Sequence, residues 1–115
     1  MAGGTLGLLD ESAALNSRVF SKTRLLILSV LDELPEGDSA TFRELKAGLR
    51  LNEGVLFTNL GVLKEMGYVE EIDVKVRKRN MTAYHITNQG REELRSLESW
   101  FRKWAGRRLD ERKPG

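Results

Sequence analysis

The chain has 115 residues, 40% of them hydrophobic and 31% charged, with a formal net charge of +2 and no cysteine. That length suits one domain with one core, and no apolar run approaches the ~20 residues that span a bilayer. Without cysteine there are no disulfides, thiolate metal sites or thiol nucleophiles.

The first segment, MAGGTLGLLDESAAL, lacks the basic flank and long apolar stretch of a secretory leader, so a cytoplasmic location is expected. Residues 1–5 carry two glycines and no cap and are expected to be loose. From Leu6 to Phe20 the spacing predicts one helix, with Leu8, Ser12, Leu15 and Val19 on one face. Asp10 and Glu11 suit its first turn, where the helix dipole favours anions.

Ser21 is the expected N-cap of a second helix, Lys22 to Leu34. Its residues Leu25, Leu26, Ile27, Leu28, Val30, Leu31 and Leu34 cover most of the circumference, the pattern of a buried central helix. Pro35 and Gly37 end it. Thr41-Phe42-Arg43-Glu44 then reads as a capping box, a threonine with a glutamate three residues on. It opens a short helix with Leu45 and Leu49 inward. After a turn over Gly48 to Leu51, Asn52 caps a helix from Glu53 to Met66. There Leu56, Leu60 and Leu63 recur at i, i+4 and i+7 and fix the inward face. Gly67 is the expected left-handed stop.

Beyond Gly67 the hydrophobic period changes from 3.6 to 2. Ile72, Val74 and Val76 alternate with charged residues, and Thr82, Tyr84 and Ile86 alternate on the return. Two such runs around a polar, Asn-containing tip, Lys75-Val76-Arg77-Lys78-Arg79-Asn80, predict a β-hairpin. Thr87 caps a long last helix with Leu94, Leu97, Phe101 and Trp104 at 3-4-3 spacing and Trp100 beside them. From Arg107 to Gly115 the chain is polar and is expected to fray.

Charge is unevenly spread. Up to Ala40 six acids (Asp10, Glu11, Asp32, Glu33, Glu36, Asp38) face Arg18, Lys22 and Arg24, while the basic excess lies in the hairpin tip and the last helix. A local basic patch on a nearly neutral chain fits a defined anionic contact.

The order helix, helix, turn, helix, hairpin, helix is that of a winged helix-turn-helix. Three stretches carry the resemblance: SKTRLLILSVL, FRELKAGLRLNEGVLFTNLGVLKEMGYVE and KVRKRNMTAYHITNQGRE. In order and at ordinary loop lengths they resemble the small MarR/ArsR-like winged-helix transcription regulators of prokaryotes, over about Ser21 to Leu97. The expected fold is mainly α with a small β-wing, the helical extensions at both ends serving dimerisation. The expected organisation is an N-terminal arm and helix over 1–20, a DNA-binding core over 21–90, and a dimerisation helix with its tail over 91–115.

The resemblance implies a homodimer on pseudo-palindromic double-stranded DNA, with 52–66 as the reading helix. Carried over by position, the candidate DNA-binding residues are Thr41, Arg43, Lys46, Asn52, Glu53, Gly54, Val55, Thr58, Asn59 and Val62, with Lys75, Arg77, Lys78 and Arg79 of the wing. Asn59 suits a bidentate contact to adenine, and Val55 and Val62 suit thymine methyls. The reading helix has no Arg or Lys before Lys64, so Arg43, Lys46 and Arg50 are the alternative phosphate contacts. The bland reading of the basic tip is a hairpin end guarded against edge pairing.

Candidate dimer-interface residues are Leu8, Leu15, Val19, Leu94, Leu97, Trp100, Phe101 and Trp104. Two tryptophans four residues apart are a large apolar load for a core that three helices and a hairpin already close. Phe57 is expected to pack against the first core helix or the hairpin, the alternative being an exposed anchor, and Arg24 to serve a structural ion pair. His85, the lone histidine, cannot assemble a metal site by itself, and no cofactor is expected. No general acid–base pair, phosphate loop or nucleophile motif is present, so no enzyme is expected. With little material beyond the winged core, an effector pocket is expected to be small or absent. The alternative reading is a winged-helix protein-interaction module that does not bind DNA, motivated by Val55, Phe57 and Val62 on the reading face.

Overall fold

The structure is a computed structural model that describes residues 4–111, with side chains described to residue 107. Its elements are α1 (Gly4–Ser12), a 3-10 turn (Ser17–Val19), α2 (Lys22–Glu33), β1 (Ala40–Thr41), α3 (Phe42–Leu49), α4 (Glu53–Glu65), β2 (Val69–Val76), β3 (Arg79–Ile86) and α5 (Asn88–Glu111). Local chemistry accounts for most of these boundaries. Ser21 caps α2 by accepting from the Arg24 N–H, and Asn52 caps α4 by accepting from the Val55 N–H. The capping box at α3 is complete: the Thr41 side chain accepts from the Glu44 N–H and the Glu44 carboxylate accepts from the Thr41 N–H. Each cap satisfies donors that a helix N-terminus leaves orphaned.

The three strands form an antiparallel sheet in the order β1-β3-β2. The core lies between this sheet and the helices. Ile27, Leu28 and Leu31 of α2, Leu45 of α3, and Leu56, Leu60 and Leu63 of α4 meet Tyr68, Val69, Tyr84 and Ile86 there. Leu94 and Leu97 of α5 are buried in the same cluster, as is Val19. These three, together with buried Leu8, correct the expected dimer interface: the protomer's own interior takes them up. The helices and hairpin do not close the core without the first turns of α5, which pack against α2. Leu15 is likewise half-buried against that core.

The N-terminal segment departs from the single helix expected over Leu6 to Phe20. Helix α1 begins earlier, at Gly4, and stops at Ser12. Asn16 then turns its side chain back to accept from the Arg18 N–H and starts the 3-10 turn. An asparagine that satisfies local backbone donors competes with helix continuation. α1 lies along α5, where the Trp100 Nε1–H donates to the Leu8 carbonyl (2.9 Å) and Lys103 pairs with Glu11 (3.2 Å). The other end of α5 also runs longer than expected: it is helical through Glu111, whereas fraying was expected from Arg107. Residues 1–3 and 112–115, the remainder of the two termini expected to be loose, lie outside the described residues.

At its start α5 is fastened to the turn after α4. Thr87 donates from Oγ1 to the Gly67 carbonyl (2.7 Å) and accepts from the Gly90 N–H (3.0 Å), and its own N–H donates to the Tyr68 carbonyl (3.0 Å). Gly67 holds the left-handed conformation (φ 80°) that ends α4. Gly90 faces the Tyr68 carbonyl so closely that any Cβ would collide with it. Among the described residues no helix is long and apolar enough to cross a membrane.

Candidate nucleic-acid interface

The hairpin tip is tighter than its sequence suggests. Val76 pairs with Arg79 and Lys75 with Asn80, which leaves a two-residue turn, Arg77-Lys78. Asn80 therefore lies in β3 and not in the turn. Both turn residues have positive φ, 53° at Arg77 and 68° at Lys78. This is the left-handed pair that a type I′ hairpin demands and that Asn-Gly ordinarily fills. Arg and Lys occupy these positions at a conformational cost, and such strain is commonly retained where the side chain has work to do. Lys75, Arg77, Lys78 and Arg79 are all exposed. The ion pairs among the described residues lie elsewhere, at Lys64–Glu71, His85–Glu70, Arg91–Asp32 and Lys103–Glu11.

Helix α4 presents its other face outward because Leu56, Leu60 and Leu63 are fully buried. Glu53, Gly54, Val55, Thr58 and Gly61 are exposed and Val62 is half-buried. Between α4 and the wing runs a groove of about 680 Å³, lined by Glu53, Gly54 and Phe57 on the helix side and by Asn80, Met81 and Thr82 on the wing. Phe42 and Arg43, at the start of α3, and Glu71 and Tyr84 complete it. The reading helix and the wing thus share one concave surface. At its floor the Tyr84 hydroxyl donates to Glu71 (3.0 Å), whose second oxygen meets Lys64 (3.4 Å). Burial, reinforced by the hydrogen bond and the charge of Glu71, pushes the Tyr84 hydroxyl up to about 12.

Several expected contacts are engaged within the protein. Asn59 Oδ1 accepts from Arg24 Nε (3.0 Å) while its Nδ2 donates to the Val55 carbonyl (2.8 Å). Arg24 also donates to the Arg18 carbonyl. Arg24 is accordingly a hydrogen-bonded brace between the 3-10 turn, α2 and α4, and not the ion-pair partner expected. Thr41 is buried and committed to its capping box, and Asn52 to capping α4. Arg43, Lys46 and Arg50 are exposed, with Arg50 ending α3 at φ 54°. Phe57, expected to pack against the first core helix or the hairpin, lies on the hairpin side, in the groove with Asn80, Met81 and Thr82, but is 69% exposed, as the alternative of an exposed anchor has it. It lies one position past buried Leu56, about 100° around the helix, which swings it off the core and toward the wing.

A second surface lies on α5. Phe20, Trp100 and Phe101 form an aromatic cluster with ring centroids 5.3–6.0 Å apart. Phe101 is 36% and Trp104 44% exposed, with Arg107 stacked over the Trp104 ring at 4.8 Å. The N-terminal helix adds exposed Leu6 and Leu9. Leu26, expected inside a helix buried all round, also faces solvent.

Residues 23–104 match the family model for winged helix DNA-binding domains. The chain belongs to this family. No curated protein matches the sequence. Among solved structures it is similar to a transcriptional regulator homologue from Pyrococcus horikoshii, at 26% identity and TM-score 0.70, covering 84% of this chain and 91% of that one. It shares its fold with a PadR family transcription regulator from Clostridium difficile (19% identity, TM-score 0.61, 71% and 88% covered). The same holds for the YusO protein of Bacillus subtilis (11% identity, TM-score 0.71, 92% and 70% covered). The regulator family named among such neighbours is PadR, so membership is shown at the level of the winged helix domain and not of the MarR/ArsR branch that the sequence resembles.

Proposed function

We propose that this winged helix protein is a homodimeric transcription regulator that binds double-stranded DNA. In this reading α4 enters the major groove, and the Arg77-Lys78 turn with Lys75 and Arg79 follows the adjacent backbone or minor groove. One observation carries the reading: the wing-side edge of α4 (Glu53, Gly54, Phe57) and the β3 strand of the wing (Asn80 to Thr82) border one groove, and the wing ends in exposed cations held in a strained turn. Arg43, Lys46 and Arg50 add positive charge on and just after α3. The second protomer docks on the exposed aromatic end of α5, with Phe101 and Trp104 as anchors and α1 beside them. The two reading helices then face half-sites one turn of B-DNA apart, about 34 Å.

The test is a titration of random duplex against salt. If each protomer neutralises about four phosphates, log K falls with log salt at a slope of roughly −7. A flat dependence contradicts the reading. Reversing Arg77, Lys78 and Arg79 to Glu abolishes binding to every duplex. Replacing Phe101 and Trp104 by Ser shifts sedimentation from dimer to monomer, and an unchanged dimer contradicts the docking surface.

Exposed Phe57 over a groove that also holds Phe42, Met81 and Tyr84 favours a second reading, a protein-interaction module. Failure to bind any duplex at low salt and tens of micromolar protein selects that reading.

A further inference from the structure

We infer that the reading helix selects DNA by the 5-methyl groups of thymine, so that its sites are A·T-rich half-sites with no guanine under the helix. The inference rests on the DNA-binding reading above and specifies which sequences it favours. It follows from which groups α4 has free to offer.

Guanine is read through O6 and N7 by a charged nitrogen donor, and adenine through N6 and N7 by a side-chain amide. Arg is absent from α4, and its one Lys, Lys64, lies in the last turn and is drawn to Glu71 on β2. Its one amide, Asn59, uses the oxygen toward Arg24 and the nitrogen toward the Val55 carbonyl. A bidentate pair with adenine needs both atoms presented edge-on to the base, and here both are engaged by partners within the protein. The polar groups left are the Thr58 hydroxyl and the Glu53 and Glu65 carboxylates, which as anions are no partners for the O6 and N7 acceptors of guanine, and Glu53 lines the helix side of the groove.

The rest of the face is apolar. Val55 is 38% exposed and forms one surface with the Thr58 and Val62 methyls, while Phe57, 69% exposed, stands on the opposite flank toward the wing. The thymine methyl is the one apolar feature on base edges in the major groove, and short aliphatic and phenyl side chains are its partners. Short readers must come close. Gly54 and Gly61 lie on the same side as Thr58, and a Cβ at Gly61 would meet nothing within 4 Å, while one at Gly54 would meet only Asn52 Oδ1 at 3.7 Å. The protein's own packing therefore demands neither glycine, and their missing side chains let the helix backbone settle against the base edges. Val55 and Val62 are two turns apart, about 10 Å along the axis, or roughly three base-pair steps. Contacted thymines accordingly fall within a run of three to four base pairs.

The experiment selects bound duplexes from a random pool with the full-length protein, then replaces each thymine of the selected site by uracil, which removes the methyl and keeps the hydrogen-bonding edge. The expected site is A·T-rich in each half. Uracil at a contacted position weakens binding about fourfold, the burial value of one methyl group. Two contacted methyls in each half-site make the combined loss roughly two orders of magnitude. The Val55→Ser variant, altered at an exposed position, keeps its salt dependence and loses sensitivity to uracil at one position per half-site. A guanine-containing site, binding without sequence preference, or affinity that survives full uracil replacement overturns the inference and leaves DNA binding standing. Failure to bind any duplex overturns both.

Discussion

Replacing Arg77-Lys78 by Asn-Gly separates what the wing tip costs the fold from what it contributes to binding. Both residues sit in the left-handed region, at φ 53° and 68°, where an L-residue with a full side chain loses about 1 kcal/mol or more. Asn tolerates this region and Gly is unstrained in it. Relief at two positions is worth about 2 kcal/mol, and the extra freedom of Gly in the unfolded chain returns about half of that. The variant is therefore expected to be more stable by about 1 kcal/mol, a rise in Tm of about 4 °C for a chain of this size. The same change removes two cations per protomer, four in the proposed dimer. At ~0.9 per phosphate contact, the salt slope shallows by about 3.6, to roughly half the parental value. Thermal melts and DNA titrations at four salt concentrations measure both quantities on one preparation. A variant less stable than its parent refutes the strained turn. A stabilised variant with an unchanged slope refutes phosphate contact by these two residues.

Three further outcomes follow from the contacts. Asn59 and Arg24 are coupled by a hydrogen bond at 3.0 Å, so a double-mutant cycle with Asn59→Ala and Arg24→Ala gives an interaction of about 1 kcal/mol in unfolding by urea; additive effects contradict the brace. Gly90→Ala drives a methyl into the Tyr68 carbonyl and destabilises the protein by about 1–3 kcal/mol in the same assay, whereas Gly61→Ala, with open space around it, stabilises it by up to about 1 kcal/mol. Tyr84 ionises near pH 12 in the folded protein and at 10.0 when free. Between those values the unfolded chain loses a proton that the folded one keeps, so stability is full below pH 10 and falls as pH rises toward 12. Tyr84→Phe flattens that fall in part, because Tyr68 is raised in the same direction by its own burial. An unchanged pH profile contradicts the assignment.

The fold was legible wherever local chemistry determined it. Ser21, the Thr41/Glu44 box, Asn52, Gly67 and Thr87 each mark an end that the structure uses as expected, and the change of period after Gly67 announced the hairpin. What sequence patterning missed depends on distant partners. The two-residue strand β1 exists only because Ala40 and Thr41 pair with Tyr84 and Ala83 of β3, and two residues carry no period. Leu94 and Leu97 share a stripe with Phe101 and Trp104, and spacing alone does not show where the core ends along a helix. The first pair is buried and the second exposed because α5 leaves the sheet and α2 behind as it extends along α1.

The candidate site was legible in outline and misassigned in detail. The basic tip was evident as a charge run, but the position of the turn within it depends on register, which moved Asn80 into a strand. Asn59 looked like a base reader because its position on the helix is outward enough. Its commitment to Arg24, 35 residues earlier, is a tertiary fact. The Leu56, Leu60, Leu63 face puts Phe57 off the inward direction, and how far it is covered there depends on the hairpin, whose position relative to α4 is again a tertiary fact.

The measurement that bears most directly on the shared DNA surface is photo-crosslinking from positions 58 and 78 to one defined duplex, with each crosslink mapped to the nucleotide. The account predicts that Thr58 captures bases from the major groove and Lys78 captures the backbone a few nucleotides away within the same half-site. Capture by position 78 alone, or crosslinks from the two positions that fall on separate duplexes, would contradict it.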